Sequence, residues 1–390
     1  MHTIVRHALA TARAFGSQFR VVVISGPRQA GKTTLARAAF PEHSYVSLED
    51  PDTRLLVEGD PRGFLARHQH GIILDEVQRV PALLSYLQTE VDQQRRPGRF
   101  VLTGSSNLLM HAHVSQSLAG RAGFLELPTL SLAEQADAGL RPESPESAIL
   151  RGGYPEVVAE GLDPATWYTA YLATYVERDV RQLIQVRDLS AFQRFLRVCA
   201  TRVGQLWNRV SVGADAGITA GTVDAWVSAL EASHVIFFLR PYHRNFGKRL
   251  TKSPKLYFCD PALAARLLGL VTAAQVRDNP LWGALFENLV ISDTRKEQVN
   301  RGLPPSLWFW RDHRGTELDL VIEQGGVVQA VEIKAGQTIA ADWFGVLSQW
   351  QAWVGPGAIP PAVVYGGSES TSWQGWCRVL PWTRFGDCTH

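Results

Sequence analysis

An α/β fold built on a parallel sheet is predicted for this chain, and three observations predict it. Short β-rich apolar runs alternate with helical patterns through the first third, the order that builds parallel strands joined by crossover helices. The first run, Val21–Ser25, leads directly into Gly26-Pro27-Arg28-Gln29-Ala30-Gly31-Lys32-Thr33, a glycine-rich turn that opens a helix. A second α/β pattern, a helix followed by a hairpin and a further strand, begins near Leu281.

In chain order, the first third reads Val21–Ser25 (strand), Gly31–Ala39 (helix), Tyr45–Leu48 and Gly71–Leu74 (strands), Ala82–Arg95 (helix) and Phe100–Thr103 (strand). A Pro/Ser/Glu-rich stretch at Arg141–Ser147 marks a loop, and Trp167–Val186 has a long helical pattern, so Ser131 to Arg187 reads as a helical lid. Between Ala191 and Tyr242 come short helices, a turn at Gly217-Ile218, a helix from Thr219 to Ala232 and the apolar run Val235–Leu239, the order of a helix-turn-helix with a β-wing. Leu281–Lys296 is helical. Leu307–Arg311 and Glu317–Ile322 are strands, Val327–Lys334 pairs across the Gln324-Gly325-Gly326 turn, and Ala362–Tyr365 is a further strand. The expected organisation is residues 1–130, 131–189, 190–275 and 276–390.

Composition bounds the setting. A chain of 390 residues with 45% hydrophobic content can fill two or three cores. The sequence has no apolar run long enough to span a bilayer and no signal-peptide order at the N-terminus, so a cytoplasmic location without membrane partners is expected. Cys199, Cys259, Cys377 and Cys388 have neither paired nor metal-ligand spacing and read as reduced thiols. The net charge is only +2, yet residues 190–300 hold 14 Lys/Arg against 8 Asp/Glu, a local tilt compatible with an anionic partner.

The glycine-rich turn predicts an ATP and Mg2+ site. Gly26 and Gly31 let the backbone N–H groups and the helix N-terminus face the phosphates, Lys32 reaches the β/γ oxygens, and Thr33, followed by Thr34, ligates magnesium. Asp75, ending the apolar strand Ile72-Ile73-Leu74, holds the same ion, and Glu76 polarises the attacking water. Ser105, Ser106 and Asn107 at the next strand end are candidate γ-phosphate sensors, with a plain polar turn as the alternative. Arg121 is a candidate arginine finger toward its own or a neighbouring subunit's nucleotide, with a surface salt bridge as the alternative.

These residues resemble a known group, the bacterial and archaeal AAA-type ATPases that carry a winged-helix segment and a C-terminal PD-(D/E)xK nuclease-like domain. Besides the P-loop and Leu74-Asp75-Glu76-Val77-Gln78, the resemblance rests on Leu102-Thr103-Gly104-Ser105-Ser106, Leu118-Ala119-Gly120-Arg121, Gly152-Gly153-Tyr154-Pro155-Glu156 and Glu177-Arg178-Asp179. It continues through Lys255-Leu256-Tyr257-Phe258-Cys259-Asp260, Leu285-Phe286-Glu287-Asn288, Glu317-Leu318-Asp319 and Val331-Glu332-Ile333-Lys334.

Period-two alternation puts Glu332 and Lys334 on one face of their strand and Val331 and Ile333 on the other. Across the hairpin, Asp319 and Glu332 can share a divalent cation, Mg2+ or Mn2+, with Lys334 orienting a water and Glu287 adding a carboxylate. The resemblance matches Asp319 and Glu332-x-Lys334 to the nuclease core and Glu287 to its helical acid. A surface Glu–Lys pair beside an exposed Asp is the alternative. In the basic middle, Arg240, His243, Arg244, Lys248, Arg249, Lys252 and Lys255, with Tyr242 and Phe246 between them, are candidates for DNA backbone contact and base stacking, whereas the tryptophans read as packing. Together the readings predict a homo-oligomeric ATPase, with a ring as one arrangement, that engages and remodels or processes DNA. The alternatives are a nucleotide-driven switch with a degenerate nuclease fold that binds a protein, and an ATP-gated defence nuclease.

Overall fold

The fold was obtained as a computed structural model, which describes residues 4–104, 118–180, 188–242, 251–355 and 359–386. The candidate sensors Ser105, Ser106 and Asn107, the basic candidates His243, Arg244, Lys248 and Arg249 with Phe246, and Cys388 lie outside the described residues, as do the side chains of Glu177, Arg178 and Asp179.

After an N-terminal helix, Ala8–Gln18, the first third forms a five-stranded sheet. Its strands are β1 (Val21–Ser25), β2 (Ser44–Ser47), β3 (Ile72–Asp75), β4 (Phe100–Gly104) and β5 (Ala122–Glu126), in the order β2-β3-β4-β1-β5. Every neighbouring pair is parallel, as the alternation predicts. Val21 and Val23 pack into one apolar cluster and Val22 and Ile24 into another on the opposite face, which is why β1 is apolar throughout. Strand β5 escaped the sequence reading because Ala122 and Gly123 carry little β signal. It gains its place by pairing with β1 along its whole length. In this order the chain leaves β1 to reach an edge strand, which opens a crevice beyond the strand C-termini where the P-loop lies.

Residues 131–180 carry the helices Leu132–Asp137, Pro145–Arg151, Pro155–Glu160 and Pro164–Tyr171 and a wider π-helical stretch, Leu172–Val180. Three helices follow, Leu189–Thr201, Arg209–Ala216 and Ala220–Ala232. Gly217, at φ 71°, ends the second, and the Thr219 side chain caps the third. Next comes β6 (Ile236–Pro241), paired antiparallel with β7 (Lys255–Phe258).

The helix Trp282–Asn300 precedes β8 (Leu307–Arg311), β9 (Glu317–Gln324), β10 (Val327–Lys334), β11 (Ala362–Tyr365), β12 (Thr371–Trp373) and β13 (Cys377–Pro381). With β6 and β7 they form an eight-stranded mixed sheet, β12-β13-β11-β10-β9-β8-β6-β7, so the β6–β7 pair is one of its edges. Gln324 pairs with Val327, and Gly325 and Gly326 both take positive φ (59° and 82°), the type I′ hairpin that two glycines favour. Trp308 pairs with Val321 and Trp310 with Leu318, so Asp319 and Leu320 together oppose Phe309 in a β-bulge. One apolar cluster runs from the helices of residues 131–180 through the three middle helices to β8–β11 and β13, joined by Leu285, Phe286 and Leu289 of the long helix. Trp310 and Trp350 are buried, the packing role expected of the tryptophans.

Candidate active site

The P-loop takes the shape its glycines predict. Gly26 has φ +153°, and a Cβ there would lie 2.1 Å from the Leu127 carbonyl oxygen, so no other residue fits without moving backbone. Gly31, at φ 90°, caps the helix Lys32–Ala39, and the loop from Arg28 to Thr34 lines a cavity of about 400 Å3. Lys32 is 5% exposed and donates to the carbonyls of Gly26 (3.1 Å) and Pro27 (2.8 Å). Burial lowers its pKa to about 8 against the opposing pull of Glu76 and Asp75, and the negative charge of an incoming polyphosphate would raise it again.

Asp75 ends β3 beside the loop, one strand position removed across β4. Its Oδ2 accepts from Thr33 Oγ1 at 3.0 Å and from the Tyr45 hydroxyl at 2.7 Å, and its Oδ1 accepts from Thr103 Oγ1. Thr33 and Asp75 thus offer adjacent hydroxyl and carboxylate oxygens, the hard donor set that fits Mg2+. When bound there, that ion neutralises phosphate charge. Glu76 lines the same cavity in the left-handed conformation (φ 56°) and accepts from Gln78 Nε2. A non-glycine residue held there costs about 1–3 kcal/mol, which the surrounding contacts must offset.

Sequence reasoning missed the walls of this cavity. Arg6 donates to Ala30 O and Pro128 O (each 2.7 Å) and to Glu134 Oε1 (2.9 Å), fastening the loop to the helix Leu132–Asp137. Ile4, Leu130, Pro155, Glu156, Ala159 and Glu160 also line it, so of the segment Gly152–Glu156 only Pro155 and Glu156 reach the cavity. Behind the loop, Tyr171 donates to Arg28 O at 3.4 Å and accepts from Tyr154 at 2.9 Å. Asp260 accepts from Thr129 Oγ1 and Gly153 N, each at 2.9 Å. Aromatic residues on short helices read as core, and nothing local marks them as neighbours of a distant loop. A larger cavity, about 560 Å3, lies apart from this chemistry near Pro145–Arg151 and Pro261–Leu267.

Arg121 sits elsewhere. It precedes β5, its carbonyl accepts from Val21 N at the start of β1, and its guanidinium forms two bonds to Asp92, at 2.6 and 2.8 Å. That is the sheet end opposite the P-loop, so its own nucleotide is out of reach and the salt bridge is what the structure shows.

The C-terminal residues come together in part. Lys334 Nζ lies 2.6 Å from Glu332 Oε1, and the Ile333 N–H donates to Asp319 Oδ2 at 2.8 Å, so Asp319, Glu332 and Lys334 share one space. Glu332 Oε2 is buried without a hydrogen-bond partner. Burial, then the charge of Asp319, pushes Glu332 up to about 8; burial raises Asp319 as well. Glu287 departs from expectation, because its Oε1 accepts from Lys255 Nζ at 2.9 Å and from the Tyr257 hydroxyl. Among the described residues, no three His, Cys, Asp or Glu side chains form a set that could hold a metal. The expected three-carboxylate ligand set is therefore corrected.

Two candidates for DNA contact are also corrected. Lys255 is 3% exposed and ion-paired to Glu287 and Glu317, and Tyr242 is 2% exposed against Trp308 and Trp350, so neither faces a ligand. Arg240 and Lys252 are exposed. On the helix Ala220–Ala232, Asp224 is paired with Arg209, which leaves that face without a cationic excess.

Residues 18–136 match the AAA domain, residues 143–274 a Domain of unknown function (DUF8612), and residues 282–385 a Domain of unknown function (DUF4143). Two uncharacterized proteins, one of Mycobacterium tuberculosis and one of Mycobacterium bovis, are each 33% identical over 339 residues, covering 85% of this chain and 74% of theirs. Among solved structures, the Walker-type ATPase of Pyrococcus abyssi is similar over 67% of this chain and 94% of its own, at 15% identity and a TM-score of 0.46. The RuvB Holliday junction branch migration motor of Thermotoga maritima is similar over 59% and 85%, at 18% identity and a TM-score of 0.31. With its P-loop and parallel sheet, the chain is a P-loop ATPase of the AAA kind and belongs to the family of the two mycobacterial proteins.

Proposed function

We propose that this protein hydrolyses ATP and uses the cycle to engage and remodel DNA as a homo-oligomer. The observation that carries the ATPase half is the convergence of Lys32, Thr33 and Glu76 on one cavity, with Asp75 held against Thr33 at its edge by a 3.0 Å hydrogen bond. Lys32 faces the β/γ oxygens, Thr33 and Asp75 hold Mg2+, and Glu76 takes the proton of the attacking water. The DNA half is supported by the basic tilt of residues 190–300, by exposed Arg240 and Lys252, and by the helix–turn–helix–hairpin order that a winged helix shares. Arg121, unable to serve its own nucleotide, fits a finger offered to a neighbouring subunit once Asp92 releases it. Metal-dependent cleavage is left out of this reading because Glu287 is taken by Lys255 and Tyr257.

The test is ATP turnover with and without single-stranded, duplex and branched DNA. Stimulation by any form is expected. Lys32→Ala should abolish turnover, and Glu76→Gln should bind ATP but not hydrolyse it. A Glu76→Gln protein with wild-type turnover would remove Glu76 as the base, and turnover indifferent to every DNA form would favour the protein-binding switch.

A further inference from the structure

The C-terminal cluster brings together four carboxylates, on Glu287, Glu317, Asp319 and Glu332, within one electrostatic neighbourhood. Such a group requires cations, and the chain supplies them. Lys334 is bound to Glu332. Lys255, projecting from β7, lies 2.9 Å from Glu287 Oε1, forms a second ion pair with Glu317, and acts on Asp319 as well. Arg311 closes on the other oxygen of Glu317 at 2.8 Å. A 3% exposed ammonium is kept charged only by such partners, and here the carboxylates outweigh burial and hold Lys255 above its ordinary range.

We infer that Lys255 is a tethered cation occupying the place a divalent ion would need, so that the cluster joins the β6–β7 pair to the rest of the C-terminal sheet and takes up no metal. The geometry excludes both at once. A divalent ion must come within about 2.0–2.6 Å of its carboxylate oxygens, and Glu287 Oε1 already holds an ammonium and a phenol hydroxyl. Lys334 stands on the Glu332 side, so an ion placed between the strands would be flanked by two ammonium groups. The bulge at Asp319 and Leu320 interrupts regular pairing with β8 beside this cluster, and Ile333 N–H fills one Asp319 oxygen. This inference extends the reading above to the C-terminal unit and does not depend on DNA stimulation of the ATPase.

The experiment titrates Mn2+ into the full chain, stripped of nucleotide and metal, and follows free Mn2+ by electron paramagnetic resonance. Wild type should show no Mn2+ binding that Asp319→Asn or Glu287→Gln removes. Lys255→Met, which keeps the length and loses the charge, should gain an Mn2+ site at least tenfold tighter than any residual binding of the wild type, lost again in the Lys255→Met, Asp319→Asn double variant. Lys255→Arg should exclude Mn2+ as wild type does. A wild-type site abolished by Asp319→Asn would overturn the inference, as would a folded Lys255→Met protein that gains no site. If Lys255→Met does not fold, the wild-type titration against Asp319→Asn still decides. ATP turnover, measured separately, reports on the P-loop reading alone.

Discussion

Replacing Gly26 by alanine tests the nucleotide site at its most constrained atom. The added Cβ would sit 2.1 Å from Leu127 O and 3.0 Å from Leu127 C, both backbone atoms that Leu127 N holds in place through its 2.7 Å bond to Ser25 O. Restoring ordinary contact requires about 1 Å of movement, and the residue is also held at φ +153°, which costs of the order of 1–3 kcal/mol for a residue with a side chain. The loop is the softer partner and should yield, moving the N–H groups that face the phosphates. A misplacement of about 1 Å in such a site costs of the order of 100-fold in rate. The assay pairs thermal melting with equilibrium binding of a fluorescent ATP analogue and steady-state turnover. The expected result is a modest loss of melting temperature, with binding and turnover each falling at least tenfold. Gly283→Ala, which meets no atom within 4 Å and has no positive φ, is the control and should stabilise slightly, by about 0.5–1 kcal/mol. Wild-type nucleotide affinity in Gly26→Ala would refute the claim that this backbone shape makes the site.

Neutralising Arg240 and Lys252 together should weaken DNA binding for all sequences and flatten its salt dependence by about 0.9 per lost phosphate contact, read from affinities at several salt concentrations; an unchanged slope moves the surface elsewhere. Asp293 accepts from Leu132 N at 2.9 Å, and burial raises its carboxyl from 3.8 to about 7. The native state therefore holds a proton that the unfolded state has lost between about pH 4 and 7, so this group's contribution falls as pH rises through that window. Asp293→Asn keeps an acceptor and cannot ionise, so its melting temperature should decline less than wild type between pH 5 and 8; equal declines would show that Asp293 does not titrate there.

The P-loop was legible because its chemistry is local. Two glycines, a lysine and a threonine at fixed spacing between a strand and a helix dictate one backbone shape, and Asp75 follows from an apolar strand ending in an acid. The Gly325-Gly326 hairpin was legible for the same reason. The walls were not. Arg6 reaches Ala30, Pro128 and Glu134, up to 128 positions away, and no period or turn signal encodes that. Lys255 shows the limit most sharply. In sequence it belongs to a basic run beside Arg249 and Lys252, and only the pairing of β6 with both β7 and β8 turns it inward to Glu287 and Glu317. Tyr242 was misread likewise, since an aromatic among cations looks the same whether it stacks on a base or on Trp308.

Strand β6 pairs with β8 at Arg240–Trp308 and Pro241–Phe309, so a single sheet crosses the boundary between residues 274 and 282 that separates two sequence families. A cut there would divide one folding unit. The N-terminal piece would expose the β6 hydrogen-bonding edge, and the C-terminal piece would expose that of β8, each a template for pairing with another chain. Soluble fragments should instead retain both, and exchange of β6 between copies becomes a route to aggregated or swapped assemblies whenever the linker between them is severed.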